Sequence, residues 1–272
     1  MAQTVGFIGL GTMGEPFATN IISAGFDLVV HDTRPEPVAA LVELGARSAV
    51  SAREIAEQVT IVEIAVAHEE HVEAVLHGPD GVLAGAHPGL IVAIHSSVHP
   101  RHMQKIAAAA EARGVAVLDA QMSGGARNVV AHALCLMVGG DAAVLERCRP
   151  IFETTASHIY LLGGVGMGAA TKIAQNSMTA MHLLAASEGF RLAQKAGVDL
   201  EMFQEVVRTS SAQSWVADEY LHGRSTRPAG WVYYDVLHDA LDLAHTYDVA
   251  LPGAAACQQA LAHSLRKPLV AE

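Results

Sequence analysis

The sequence predicts an α/β protein: a doubly wound parallel sheet, then one long helix, then an all-helical domain. Three observations carry that prediction. Short apolar, β-branched runs alternate with Ala-rich stretches from Thr4 to about Leu162. A glycine-rich turn, Gly9-Leu10-Gly11-Thr12-Met13-Gly14, separates the first run from the first Ala-containing stretch. From Gly168 to Gly197 there is no proline, and no comparable strand pattern returns afterwards.

The strand-like runs are 5–8, 28–31, 59–66, 90–94, 115–118, 134–138 and 159–162. Continuous apolar runs of this length, separated by helical stretches, belong to parallel strands covered on both faces. The stretch 168–197 is long enough for one helix of about 45 Å. Further helices follow, broken near 223–228 and at Pro252. The expected domains are therefore 1–165, the sheet, and 166–272, all-helical and small enough to gain from a partner subunit. A homodimer or homotetramer, built through the long helix, is the expected assembly.

Composition narrows the function classes. The 272 residues carry 17 Lys+Arg against 28 Asp+Glu, a formal charge of −11. That balance argues against nucleic acid or an anionic membrane as partner. With 51% hydrophobic and 17% charged residues, the chain is not of the disordered class. No apolar run approaches the roughly 20 residues of a membrane span, and no basic segment introduces an export signal. The three cysteines, Cys135, Cys148 and Cys257, are odd in number and far apart, which fits neither a disulfide framework nor a metal site. The 15 histidines show no HxxxH or HExxH spacing. A cytoplasmic protein without a metal is expected.

The glycine turn is the strongest local signal. It follows the first strand and opens a helix, the context in which GxGxxG binds a dinucleotide. The first glycine turns the chain, the second admits the pyrophosphate, and the third packs helix on strand. The second strand ends at Asp32, roughly 20 residues on, where a carboxylate accepts the adenosine ribose hydroxyls. A tight turn followed by an ordinary loop aspartate is the plainer alternative. Strand, glycines, helix, strand and acid in register favour a Rossmann-type nucleotide site. Asp32 points to NAD; Arg34, beyond Thr33, offers a partner for a 2′-phosphate and keeps NADP open.

Three further places carry candidate chemistry. Lys172 and Asn176 stand four apart on the long helix and share a face, opposite a stripe of Ala174, Met178, Met181 and Ala185. Lys172 is expected in the first helical turn, where the dipole disfavours a positive charge. A solvated surface pair is the alternative. Ser123-Gly124-Gly125 follows a strand expected to end at Asp119, and its backbone N–H groups suit a carboxylate. Ser96-Ser97 lies just past a strand end at Ile94. The glycines of 163–168 do not form a second dinucleotide site, because no strand and acid follow.

Together these residues resemble the β-hydroxyacid dehydrogenase family. The opening Gly6-Phe7-Ile8-Gly9-Leu10-Gly11-Thr12-Met13-Gly14-Glu15-Pro16, with Ala18 and Asn20, is similar to its N-terminal signature. Asp119-Ala120-Gln121-Met122-Ser123-Gly124-Gly125, closing at Val138-Gly139-Gly140, is similar to its substrate motif, and Gly164 to Asn176 to its catalytic motif. The resemblance implies Lys172 as general acid/base and Asn176 as the residue that orients substrate. It implies Ser123, Gly124 and Gly125 as the grip on a small carboxylate. It implies Ala65, Val66, Ala67 and Ser97 as cofactor contacts, beside the glycine turn and Asp32-Thr33-Arg34. The implied reaction is reversible hydride transfer between NAD(P) and a β-hydroxy acid.

Departures cluster in the substrate region. Gln121-Met122 replaces the family's usual Pro-Val, and Asn128 and His132 stand where glycines are usual. Ala67 replaces a common proline. His238 stands where a lysine is usual, which makes Gln121 and His238 candidates for an altered substrate preference. Trp215, Tyr233, Tyr234 and Arg127 are candidate pocket residues. Glu63 falls inside an apolar strand, with no role evident from the sequence. Two alternatives remain in view: an imine reductase-like enzyme, against which Lys172 argues, and a non-catalytic cofactor-binding scaffold, against which Lys172, Asn176 and Ser123 argue. A decarboxylating sugar-phosphate dehydrogenase is disfavoured by the short helical domain.

Overall fold

The computed structural model of the chain describes residues 4–221 and 229–264; the helix break expected at 223–228 lies outside them. The strands are β1 (Thr4–Ile8), β2 (Asp27–His31), β3 (Arg47–Ser48), β4 (Ile61–Ile64), β5 (Ile91–Ile94), β6 (Ala116–Ser123), β7 (Leu134–Gly139) and β8 (Ala156–Leu161). They form one sheet in the order β3-β2-β1-β4-β5-β6-β7-β8. The chain winds outward from β1 to β3, returns to β4, then winds the other way. The turning point lies between β1 and β4, and ligands of such sheets bind beyond the strand ends there.

The sheet is not wholly parallel as expected. β7 runs antiparallel to β6, from Asp119↔Gly139 to Ser123↔Cys135, while β8 runs parallel to β7. The link between β6 and β7 explains the reversal. It holds only the helix α6 (Gly125–Val130), and a parallel return needs a crossover of a dozen residues or more. β6 also extends past the expected end at Asp119, through Gln121 to Ser123; Asp119 and Gln121 are both buried polar residues.

Helices cover both faces of the sheet: α1 (Gly14–Ser23), α2 (Pro35–Glu43), α3 (Ala52–Gln58), α4 (Glu69–Leu76), α5 (Pro100–Glu111), α6 and α7 (Ala142–Phe152). One face buries Phe7, Phe17, Ile21, Leu118, Cys148 and Phe152. The other buries Ile8, Ile55, Val62, Val72, Leu90 and Met103. Alternate residues of β1 and β4 therefore feed two cores, which is why these strands read as unbroken apolar runs. Asn20, buried on α1, donates to Val129 O at 2.8 Å and Thr155 Oγ1 at 2.7 Å, tying α1 to the end of α6.

After β8 come α8 (Met167–Lys195), α9 (Leu200–Thr209), α10 (Trp215–Asp218), α11 (Ala229–Thr246) and α12 (Pro252–Ser264). Contacts divide the chain into units 1–172 and 173–272, compared with the boundary expected at residue 165. In the C-terminal unit, Ala180, Leu237, Ala254, Cys257 and Leu261 pack into one cluster. Phe190, Val207 and Ala217 pack into a second. The buried line of α8 is thus Ser177, Ala180, Ser187, Phe190 and Ala193. The expected stripe is mostly on the other side: Ala174, Met178 and Ala185 are exposed, and only Met181 packs against a core cluster. Among the described residues no helix is long and apolar enough to cross a membrane.

Candidate functional site

The site begins where β1 stops. Gly9 donates its N–H to His31 O at 3.0 Å, closing the turn against β2. A Cβ at Gly14 would lie 1.9 Å from Gly9 O, whereas one at Gly11 would meet nothing within 4 Å. Gly14 therefore packs helix onto loop, and Gly11 leaves bare backbone toward open space. Helix α1 starts at Gly14, and Met13 supplies no side-chain cap. Its first N–H groups and its dipole form an anion site that suits the pyrophosphate of a dinucleotide.

Asp32 holds this loop. Its Oδ2 accepts the Leu10 N–H at 2.6 Å, and its Oδ1 accepts the Arg34 N–H at 2.8 Å. Arg34 adds Nε to Asp32 Oδ1 at 3.2 Å and Nη2 to Leu10 O at 2.8 Å. Burial alone would raise the Asp32 pKa, but the bonds from Arg34 and the Leu10 N–H outweigh it and hold the carboxyl below its ordinary value. The group is a carboxylate at neutral pH. Thr33, between them, is exposed.

Beyond the ends of β1, β4, β5 and β6 lies a cleft of about 440 Å³. Gly11, Thr12 and Met13 form one wall, and Ala65, Val66 and Ala67, after β4, form the next. Ser96 and Ser97, after β5, continue it, and Gln121, Met122, Gly124 and Gly125 close it, with Lys172 present in the same lining. The expected turn at Ser123 needs one correction. Ser123 is the last residue of β6 rather than a turn residue, and the turn itself falls to Gly124 and Gly125, with φ of 128° and 69°. Both lie in the left-handed region, where a side chain is strained. Asn128 packs against Gly124, whose Cβ would stand 2.6 Å from its Nδ2. His132, at φ 54° after α6, takes a left-handed position, for which histidine is among the more tolerant residues.

Lys172 is placed by the second glycine cluster. Asp119 accepts the Gly166 N–H at 2.8 Å and the Ala169 N–H at 2.7 Å. Gly168 is so close to β6 and β7 that a Cβ would lie 2.4 Å from Met137 O. The glycines of 163–168 thus seat the start of α8 on the sheet. The helix begins at Met167, so Lys172 lies in its second turn, not the first. Dipole repulsion falls off within the first turn, and burial is the main influence instead. It pulls the Lys172 pKa down to about 8, with nearby Cys135 acting weakly in the opposite sense. Among the described residues no carboxylate pairs with it. The same burial raises the Asp119 pKa despite its N–H bonds.

Not every expected residue lines the cleft. Gly9, Leu10, Gly14, Asp32 and Arg34 support it from behind. Asn176 follows Lys172 by four residues on α8, and His238 is exposed on α11. Trp215 is exposed, and Tyr233 packs against the C-terminal core. Gln121 does line the cleft, but its Nε2 is committed to Ser96 O at 2.9 Å and Ile94 O at 3.4 Å. Sequence reasoning missed His95, which also lines the cleft. A histidine directly after an apolar strand, with an acid inside the neighbouring strand, was the available signal. The two meet: His95 Nε2 lies 2.7 Å from Glu63 Oε2.

Two family descriptions match the chain. The NAD binding domain of 6-phosphogluconate dehydrogenase matches residues 4–164. The NAD-binding region of NADP-dependent 3-hydroxyisobutyrate dehydrogenase matches residues 166–269. The chain is 38% identical to an NAD-dependent L-serine dehydrogenase of Pseudomonas aeruginosa, over 80% of this chain and 73% of that one. It is 35% identical to a 2-hydroxy-3-oxopropionate reductase of Escherichia coli, over 94% and 89%. A solved 3-hydroxyisobutyrate dehydrogenase of Mycobacterium tuberculosis, with L-serine, superimposes at TM-score 0.86 and 26% identity, covering 98% and 95%. An imine reductase of Myxococcus stipitatus is more distant, at 17% identity, TM-score 0.71 and coverage of 98% and 95%, and shares the fold alone.

Proposed function

Because this chain belongs to the β-hydroxyacid dehydrogenase family of NAD(P)-dependent oxidoreductases, we propose that Lys172 is its general acid/base and a short β-hydroxy acid its substrate. The observation that carries this reading is Lys172 itself. A lysine brought down to about 8 by burial lines the same cleft as the glycine turn and the Gly124–Gly125 backbone. An amine in that range exchanges protons readily at working pH.

In the oxidation, neutral Lys172 takes the proton of the substrate hydroxyl at Nζ while the carbon–oxygen bond becomes a carbonyl. A bound nicotinamide would supply the hydride chemistry, and in reduction Lys172 returns the proton to the carbonyl oxygen. Ser123 with the N–H groups of Gly124 and Gly125 holds the substrate carboxylate, and Asn176 orients the reacting carbon. Thr12, Met13, Ala65, Val66, Ala67 and Ser97 hold the dinucleotide, with the ribose at Asp32. Asp32, ionised at neutral pH, supports NAD over NADP. His238 and Gln121 are proposed to shape the choice of substrate. We take the cytoplasm as its location, which accords with three free cysteines. A homodimer or homotetramer is its proposed assembly.

The test is absorbance of reduced nicotinamide with NAD and, separately, NADP. L-serine and 3-hydroxyisobutyrate are offered for oxidation, and 2-hydroxy-3-oxopropionate for reduction. Turnover is expected on at least one acid, falling by about a hundredfold or more in Lys172→Ala while cofactor still binds. Equal turnover in the variant removes Lys172 from the mechanism. Cofactor binding without turnover on any acid supports the scaffold alternative.

A further inference from the structure

The cleft lies where the sheet's hydrogen-bond ladders run out. The β4–β5 ladder ends at Ile64↔Ile94 and the β5–β6 ladder at Ile94↔Asp119. Beyond those pairs side chains take over from backbone in tying the segments together. Ser96 Oγ accepts the Val66 N–H at 2.9 Å. Gln121 Nε2 reaches Ile94 O and Ser96 O. Between these, the His95 ring spans from Glu63 on β4 to Ala120 O on β6, with Nδ1 at 2.7 Å from that carbonyl.

The chemistry of this pair is constrained. A carbonyl oxygen only accepts, so His95 Nδ1 carries a hydrogen. Nε2 and Glu63 Oε2 then share one hydrogen across 2.7 Å, where both side chains are fully buried. Ala93 sits beside Glu63 in the register, and its small side chain leaves space for the acid. Phe17 from α1 and Phe152 from α7 flank the imidazole at ring-centroid distances of 5.0 and 5.7 Å. Glu63 Oε1 has no hydrogen-bond partner among the described residues. Among the described residues, the hydrogen bond to His95 is what compensates the burial of Glu63.

We infer that Glu63 and His95 are a positioning pair that fixes the Ser96–Ser97 and Gln121–Gly125 segments of the cleft wall for the nicotinamide end of the cofactor. The inference rests on the cleft being the cofactor site proposed above. His95 acts through its neighbours. Its ring orientation sets Ala120, from which Gln121 and the glycine turn follow, and its backbone leads directly into Ser96.

The test compares Glu63→Gln, Glu63→Leu and His95→Phe with the parent protein. Dissociation constants for NADH are read by fluorescence, KM and kcat by turnover, and folding by circular dichroism and thermal melts. Glu63→Gln still offers an amide hydrogen to Nε2, so it is expected to keep its NADH affinity within about threefold. It is also expected to lose the deshielded imidazole proton resonance expected of the parent by NMR. His95→Phe and, more weakly, Glu63→Leu are expected to raise the NADH dissociation constant by about tenfold, and KM with it, while kcat changes less. If His95→Phe does not fold, Glu63→Leu, which keeps the ring and removes what orients it, carries the comparison. Folded variants with parental NADH affinity overturn the inference. So does a Glu63→Gln protein as impaired as Glu63→Leu. Failure of the parent to bind either NADH or NADPH instead overturns the cofactor-site reading, and failure to turn over an acid overturns only the substrate reading.

Discussion

Lys172 shows how one position can be set by packing rather than by a charged partner. Its pKa of about 8 is a burial effect, so it should survive added salt better than a shift made by a surface ion pair. The sign follows from the proposed step. Oxidation needs the neutral amine, so its kcat/KM should rise with pH and level off above about 8. Reduction needs the ammonium and should fall over the same interval. A rate profile measured in both directions checks this, and parallel slopes would rule the lysine out. Asp32 gives a second outcome at this scale. Its charge and its bonds to Leu10 and Arg34 oppose a 2′-phosphate. Asp32→Ser should therefore lower kcat/KM with NAD by about tenfold and raise it with NADP, leaving Arg34 free for the phosphate. Unchanged cofactor preference in steady-state kinetics would show that the ribose does not bind there.

At the scale of elements, two glycines three residues apart in one motif have opposite roles. Gly11→Ala adds a methyl where nothing lies within 4 Å, whereas Gly14→Ala drives one to 1.9 Å from Gly9 O. The first variant should melt within a degree or two of the parent, roughly, and lose cofactor affinity. The second should lose several degrees or fail to fold. Thermal melts beside NADH titrations separate the two. The glycine turn and strands β1, β2, β4 and β5 were legible because apolar runs and GxGxxG are local signals. β6 was read too short, because Asp119 and Gln121 are polar yet buried and bonded. Their polarity belongs to the site, where local rules are expected to fail. The direction of β7 was not legible, since the pattern of a strand carries no arrow. Lys172 was placed in the first turn because the helix was read as opening at Gly168, whereas Met167 begins it.

For the whole molecule, among the described residues the sheet-bearing unit supplies the lining of the cleft, so the cleft is built from residues 1–172. The helical unit was readable only as helical. Its small clusters leave α8 with Met178 at 56% and Leu192 at 72% exposure, apolar surface that a second copy would cover. Light scattering at micromolar concentration should give twice or four times the chain mass. Met178→Glu with Leu192→Glu should lower it, while a monomeric parent would refute the assembly. Identification of the substrate lies beyond sequence pattern, since Gln121 uses its amide nitrogen on backbone and His238 sits on an exposed helix face.

The reversal between β6 and β7 has a kinetic consequence. Ser123 meets Cys135 across one short helix, whereas Val5 must find Ile61. Loop closure costs less for the nearer pair, so this antiparallel corner can order before the parallel crossovers, which are intrinsically slow. The wall that holds Gln121, Gly124 and Gly125 would then be the sheet's early seed, with the nucleotide-binding strands assembling onto it.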